Sequence, residues 1–289
     1  MGAFNRADNK EKILNKETIL SNLAIRGGYL RLIGLLTSGL LIGVASMSVN
    51  AESLISHSNY LDYQLPKNIQ ELCNERDNCP EIEIKYLETN HTWINNITNA
   101  RINNLVVNSK PSESAPIKAK SSQTDVQAAI NDFASSQFKD VPEGSSLAYS
   151  LMVTPEYLGH VNSFEMFEIN TYVFTGGAHG MPYSEYLIFD SSAKKQVKLD
   201  DMLVAGKKPR FKALAYDAYK TWVKTFDNNV SSYEKNWPFT LNDNVTLTDK
   251  GIDIRYQHYA IGPYSSGMPT LSIPYSKLNG ILKPRFIPK

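Results

Sequence analysis

From Glu81 the chain alternates: Ile82, Ile84 and Tyr86 take one side, and Glu81, Glu83 and Lys85 the other. A period of two predicts a strand with one buried face. Asn90 or Thr92 then caps a helix beginning near Trp93, with Ile94, Ile97, Ile102, Leu105 and Val106 as its apolar stripe. Its asparagines (Asn95, Asn96, Asn99, Asn103, Asn104) are poor helix formers and weaken that pattern. Asp125 predicts the cap of a second helix carrying Val126, Ala129, Ile130, Phe133 and Phe138. From Ser145 the period returns to two, through Leu147, Tyr149, Leu151 and Val153, then Phe167 and Ile169, then Tyr172 and Phe174. Further strands are expected at 183–189 and 196–199. Consecutive strands with short turns predict antiparallel pairing.

Asp200 predicts a short helix ending at Gly206, and Pro209 opens the most regular helix. Phe211, Leu214, Ala215, Tyr219, Trp222, Val223 and Phe226 fall on one face of it. Strands return at 245–247, 252–261 and 271–273. The order is segregated rather than strictly alternating, which predicts an α+β fold: antiparallel sheets with helices packed on one face, in two small, intimately joined domains. Their expected bounds are 80–180 and 181–289. Residues 52–79 are expected to form a leader segment on the domain surface, and 110–123, rich in Ser, Pro, Ala and Lys, a flexible loop.

The N-terminal stretch 1–51 reads differently. Residues 32–51 carry no charge, and their apolar centre, Leu32 to Ala45, is shorter than the roughly 20 residues a membrane span needs. That length suits a signal-peptide core, and Val49 and Ala51 fit the small-residue rule before a cleavage site. Arg6, Lys10, Lys12, Lys16, Arg26 and Arg31 outnumber Asp8, Glu11 and Glu17 ahead of the core, as an inside-facing end requires. The segment is long for a signal's basic region. It is either a long leader, a leader whose true start lies downstream of Met1, or a short inner tail on an uncleaved anchor at 32–51. An exported, periplasmic or cell-envelope location is expected, with membrane contact only through an uncleaved N-terminus. In an oxidising compartment Cys73 and Cys79 are expected to form a local disulfide.

Composition narrows the chemistry. Thirty Lys and Arg against 29 Asp and Glu give a net charge of +1. There is no basic excess to hold a phosphate backbone, so nucleic acid is not an expected partner. Two cysteines and five histidines leave little for a metal site, and no His-Glu-x-x-His motif occurs, so neither a metal nor a cofactor is expected.

Two motifs remain. The first is Thr175-Gly176-Gly177-Ala178-His179-Gly180, a glycine-rich turn after an aromatic strand. Glycines permit positive φ and close backbone approach, so the turn either aims His179 and backbone amides at a ligand or is simply a tight hairpin. The second runs from Arg255 to Gly267 and carries Tyr256, Tyr259 and Tyr264, apolar rings with polar tips that suit either recognition or a strand core. No Gly-x-Ser-x-Gly presents a nucleophile, and no catalytic residue is assigned. The candidate ligand-binding residues are Thr175, Gly176, Gly177, His179, Tyr256, Tyr259 and Tyr264.

The ordered set Cys79-Pro80-Glu81-Ile82, Phe174 to Gly180, Lys198-Leu199-Asp200-Asp201-Met202-Leu203, Ile254-Arg255-Tyr256, Tyr264, Gly267 and Leu271-Ser272-Ile273-Pro274-Tyr275 resembles the exported region of RsiV-type proteins. Similar tandem domains of unknown function precede the catalytic domain of PdaC-type peptidoglycan deacetylases. The resemblance spans Cys79 to Leu282. RsiV-type proteins are membrane-anchored anti-sigma factors whose outer region binds lysozyme. This chain departs from them in its short inner segment, and a catalytic domain of the deacetylase kind is not expected. What the resemblance implies is therefore a non-enzymatic, extracytoplasmic binding protein of a bacterial envelope, its ligand lysozyme, another protein or a cell-wall glycan. A net charge of +1 argues mildly against a very basic partner. The alternatives are a membrane-anchored RsiV-like regulator and an envelope hydrolase acting on peptidoglycan through His179.

Overall fold

The computed structural model describes residues 53–76, 78–109 and 118–288; the expected leader at 1–51 and the first part of the expected loop at 110–123 lie outside them. The period-two segments build a six-stranded sheet of β1 (Ser58–Asp62), β2 (Glu81–Thr89), β3 (Ser150–Val161), β4 (Phe164–Phe174), β5 (Met181–Asp190) and β6 (Lys195–Val197), paired in chain order. Neighbours are antiparallel except β2 and β3, which are parallel. The exception follows from the connection. β2 and β3 are joined by α2 (Thr92–Asn108) and α3 (Gln123–Asp140), and such a crossover returns the chain in its original direction.

Strand alternation in β4 divides the interior in two. Phe167 and Ile169 join a core with Ile102 and Phe133 of the two helices, while Phe164 and Met166 join a second core. The second core is built on α5 (Lys208–Val223) and a three-stranded antiparallel sheet of β7 (Val245–Leu247), β8 (Gly251–Arg255) and β9 (Thr270–Pro274). The short α4 (Leu199–Met202) and α6 (Val230–Asn236) complete that half. The α+β architecture of antiparallel sheets with packed helices is therefore present. The boundary expected between 180 and 181 falls in the turn between β4 and β5, which pair along their lengths, so one sheet serves both halves.

Three expectations are corrected. The segment 52–79 is not simply a leader: β1 adds a strand beside β2, and α1 (Lys67–Asn74) buries Ile69 in the first core. The strand expected over 252–261 ends at Arg255: the Tyr256 N–H still reaches the Pro269 carbonyl at 2.8 Å, and beyond it the ladder with β9 stops. The cap of α3 is Ser122 rather than Asp125; the two form a reciprocal capping box. Cys73 and Cys79 are disulfide-bonded, tying the end of α1 to the start of β2.

The asparagines of α2 have a purpose that helix propensity hides. β2 pairs with β3 only as far as Ile84. Beyond that, Asn99 accepts the Leu87 N–H at 2.8 Å and donates to the Leu87 carbonyl at 2.9 Å. Asn95 does the same for Thr89, at 3.0 Å each way. Left bare, each buried backbone group would cost about 1–3 kcal/mol. The side-chain amides take over the ladder where the neighbouring strand departs.

Candidate functional site

The loop between β4 and β5 is shaped by its glycines. Gly176 and Gly177 take φ of +95° and +91°, a left-handed conformation that side chains resist. Gly180 has a different reason: a Cβ there would lie 2.3 Å from the Tyr172 ring. The turn leaves Gly177, Ala178 and His179 exposed and Thr175 half-buried.

The second segment is pinned from beneath. Tyr256 is 1% exposed and donates its hydroxyl to the Thr240 carbonyl at 2.8 Å. Burial pushes its phenol up from the ordinary tyrosine range. Gln257 accepts the Ser184 N–H at 3.1 Å and donates to the Ser184 carbonyl at 2.6 Å. Asn244 caps the same edge of β5, accepting from Tyr186 N–H and donating to the Ser184 carbonyl. Two amides thus close an edge that would otherwise offer itself to another strand. Arg255, 3.5 Å from buried Glu168, donates to the Tyr186 hydroxyl at 2.7 Å. Past Gln257 the chain rises to the surface, and Tyr264 opens a 3-10 turn that Gly267 closes at φ +66°.

The two segments meet. Tyr264 donates its hydroxyl to the Gly180 carbonyl at 2.8 Å. Its ring stacks on His179, with centroids 3.6 Å apart, and on His258, with centroids 4.4 Å apart. Tyr259 is within 3.3 Å of His179 Nε2 through its hydroxyl and packs on Tyr264 at 5.9 Å. Tyr259 is 47% exposed and sits at φ +64°, which costs a residue with a side chain about 1–3 kcal/mol. The His258 Nδ1 is buried and has no hydrogen-bond partner among the described residues.

Of the residues expected at the site, His179, Tyr259 and Tyr264 come together, with Gly176 and Gly177 shaping the loop that carries His179. Tyr256 does not belong with them: it is a core residue whose ring holds the loop in place. His258, visible in the motif but not assigned, completes the stack. A stacked set of one tyrosine between two histidines, with a second tyrosine beside it, presents flat apolar faces and several donors and acceptors. Among the described residues neither His179 nor His258 is hydrogen-bonded to a serine or a carboxylate, and no cluster of three or more His, Cys, Asp or Glu is placed to hold a metal. A separate cleft, lined by residues of α2, β5 and β6, also escaped notice in the sequence, because its members come from segments with no shared motif.

The family model described as "Protein of unknown function (DUF3298)" matches residues 199–276, which include Tyr256, His258, Tyr259 and Tyr264. No curated protein matches the chain. The fold is similar to the crystal structure of a DUF3298 family protein from Pseudomonas aeruginosa PAO1, with a TM-score of 0.62 and 28% identity over 81% of this chain and 97% of that one. It also matches a member of the same family from Bacteroides fragilis NCTC 9343, with a TM-score of 0.55 and 14% identity over 81% of this chain and 96% of that one, a likeness of fold alone.

Proposed function

We propose that this chain is an exported, non-enzymatic binding protein of the bacterial envelope, related to the outer region of RsiV-type proteins, and that it holds its partner on the surface around His179, Tyr259 and Tyr264. The observation that carries the reading is convergence: two motifs far apart in sequence meet in one stack at the surface. Rigid aromatic groups with polar tips are the side chains that anchor recognition surfaces, because they bring large contact area and lose little freedom. The left-handed Tyr259 fits the same picture, since backbone strain of this kind concentrates at ligand-binding positions.

The partner is lysozyme, another protein, or a cell-wall glycan, and capture separates the three. Immobilised protein is exposed to envelope extract, to purified lysozyme and to solubilised cell-wall glycan. Saturable retention of one of these, lost in a His179→Ala, Tyr259→Ala double variant of unchanged melting temperature, is the expected result. Equal retention by the double variant would refute the assigned surface, and turnover of the glycan by the wild type would refute the non-enzymatic reading. Whether residues 1–51 are removed is decided by N-terminal sequencing of the exported product, with Glu52 expected first.

A further inference from the structure

The cleft lined by α2, β5 and β6 has a volume of about 750 Å³ and shares no residue with the histidine–tyrosine stack. Ile97, Ala100 and Leu187 supply its apolar lining. Arg101 is held in place by Glu185, with Nε and Nη2 each 2.7 Å from the same carboxylate oxygen. Lys120 and Lys198 line the cleft as well, and among the described residues their ammonium groups make no ion pair. The balance of free charge is therefore positive, which favours an anionic occupant.

The remaining polar groups describe what carries that charge. On its inner face α2 uses Asn95 and Asn99 to grip the N–H and C=O groups of an extended strand. Asn96, next in sequence to Asn95, lines the cleft, as does Gln196 of β6, and neither side-chain amide has a partner among the described residues. In the same wall, Asn104 Oδ1 and Ser121 Oγ are buried without a hydrogen bond among the described residues, a condition that calls for a ligand or a bound water. Unpartnered amides beside apolar lining and free lysines match a short peptide: backbone on the amides, small apolar side chains on Ile97 and Leu187, carboxylates on the lysines. We propose that this cleft binds a short acidic peptide segment in an extended form.

The test titrates the purified protein with a pool of acetylated, amidated tetrapeptides of pattern Glu-x-Glu-x, where x is Ala, Val or Leu. Matched Gln-x-Gln-x peptides and a glucuronate-containing disaccharide are run alongside, all followed by backbone amide NMR shifts. Saturable shifts at Ala100, Lys120, Leu187 and Gln196 are expected with the Glu pool. Binding should be at least about tenfold weaker both for the Gln pool and in a Lys120→Glu, Lys198→Glu variant whose melting temperature is unchanged. No saturable shift in the cleft, equal binding of the Glu and Gln pools, or unaltered affinity in the variant would overturn the proposal. Binding of the sugar acid but not of the peptides would overturn the peptide as occupant.

Discussion

The imidazole of His179 lies nearly parallel to the Tyr264 ring, 15° from coplanar with 3.6 Å between centroids. Tyr264 is half-buried and also donates to Gly180, so it locks the two loops together; His179 is exposed and only rests on it. The two residues should therefore separate function from stability. His179→Ala is expected to weaken partner capture and leave the melting temperature within a degree or two. Tyr264→Ala should lower both, losing about 0.5–1.5 kcal/mol of ring contact and about 1 kcal/mol of hydrogen bond. Tyr264→Phe should lose only the second and keep the stack. If Tyr264→Ala melts like the wild type in a calorimeter, the locking role is wrong.

Glycine substitutions should divide by what surrounds them. A Cβ on Gly251 would lie 2.1 Å from the Ile273 carbonyl oxygen, which is backbone of the paired strand and cannot swing aside. Gly251→Ala should cost more than about 2 kcal/mol by overpacking, measured by urea unfolding. Gly177, at φ +91° with nothing within 4 Å, should cost about 1–2 kcal/mol when changed to Ala, from conformation alone. Equal costs at the two positions would contradict the packing argument.

Glu165 faces the first core side of β4 and is 1% exposed, yet it is fully occupied. It accepts from the Leu54 N–H at 2.8 Å, the Ser53 hydroxyl at 3.1 Å and the Tyr157 hydroxyl at 2.6 Å. Asn90 holds the same segment through the Leu54 carbonyl. A glutamine at 165 would turn an amide donor toward these donors. Glu165→Gln should cost about 1.5–3 kcal/mol and speed amide exchange at Leu54. Unchanged exchange there would show that the carboxylate is not what fastens residues 53–55.

Much of this architecture is written in hydrophobic period. β7 falls on the residues its alternation predicts, and β3, β4, β5, α3 and α5 carry expected core residues, although Phe226, expected on the apolar face of α5, lies past its end and is 54% exposed. The misses share a cause: the relevant contact is distant in sequence or made by a polar side chain. β1 has four exposed residues out of five, so no alternation marks it as a strand. The asparagines of α2 look like poor helix formers until β2 is beside them. Asn244 and Gln257 carry no sign of the β5 edge they cap. At the candidate site, glycines and tyrosines drew attention to both segments. Tyr256 continues the phase of the buried Ile252 and Ile254 and is core, whereas Tyr259, three positions on, falls in the opposite phase and is surface, so burial and alternation agree in separating the two.

Alkaline titration tests the tyrosine-rich core. Tyr157, Tyr219, Tyr256 and Tyr275 are pushed well above the ordinary phenol value, in each case chiefly because burial disfavours the phenolate. In the unfolded chain the same phenols titrate near 10. Below that pH both states keep their protons and the stabilisation is present in full. Above it, the unfolded chain gives up protons that the folded chain retains, so stability falls as pH rises. For a fully buried phenol such as that of Tyr219 or Tyr256 the slope approaches about 1.4 kcal/mol per pH unit. Melting temperature should therefore be flat from pH 8 to 9.5 and drop steeply from about pH 10 to 11, with tyrosinate absorbance appearing as unfolding proceeds. Tyr256→Phe forfeits the hydrogen bond to Thr240, about 1 kcal/mol at neutral pH, but removes one titrating group from the core. Its curve should start lower and fall less steeply. A variant curve parallel to the wild type would mean that Tyr256 already ionises in the folded protein, and burial would then not be what raises it.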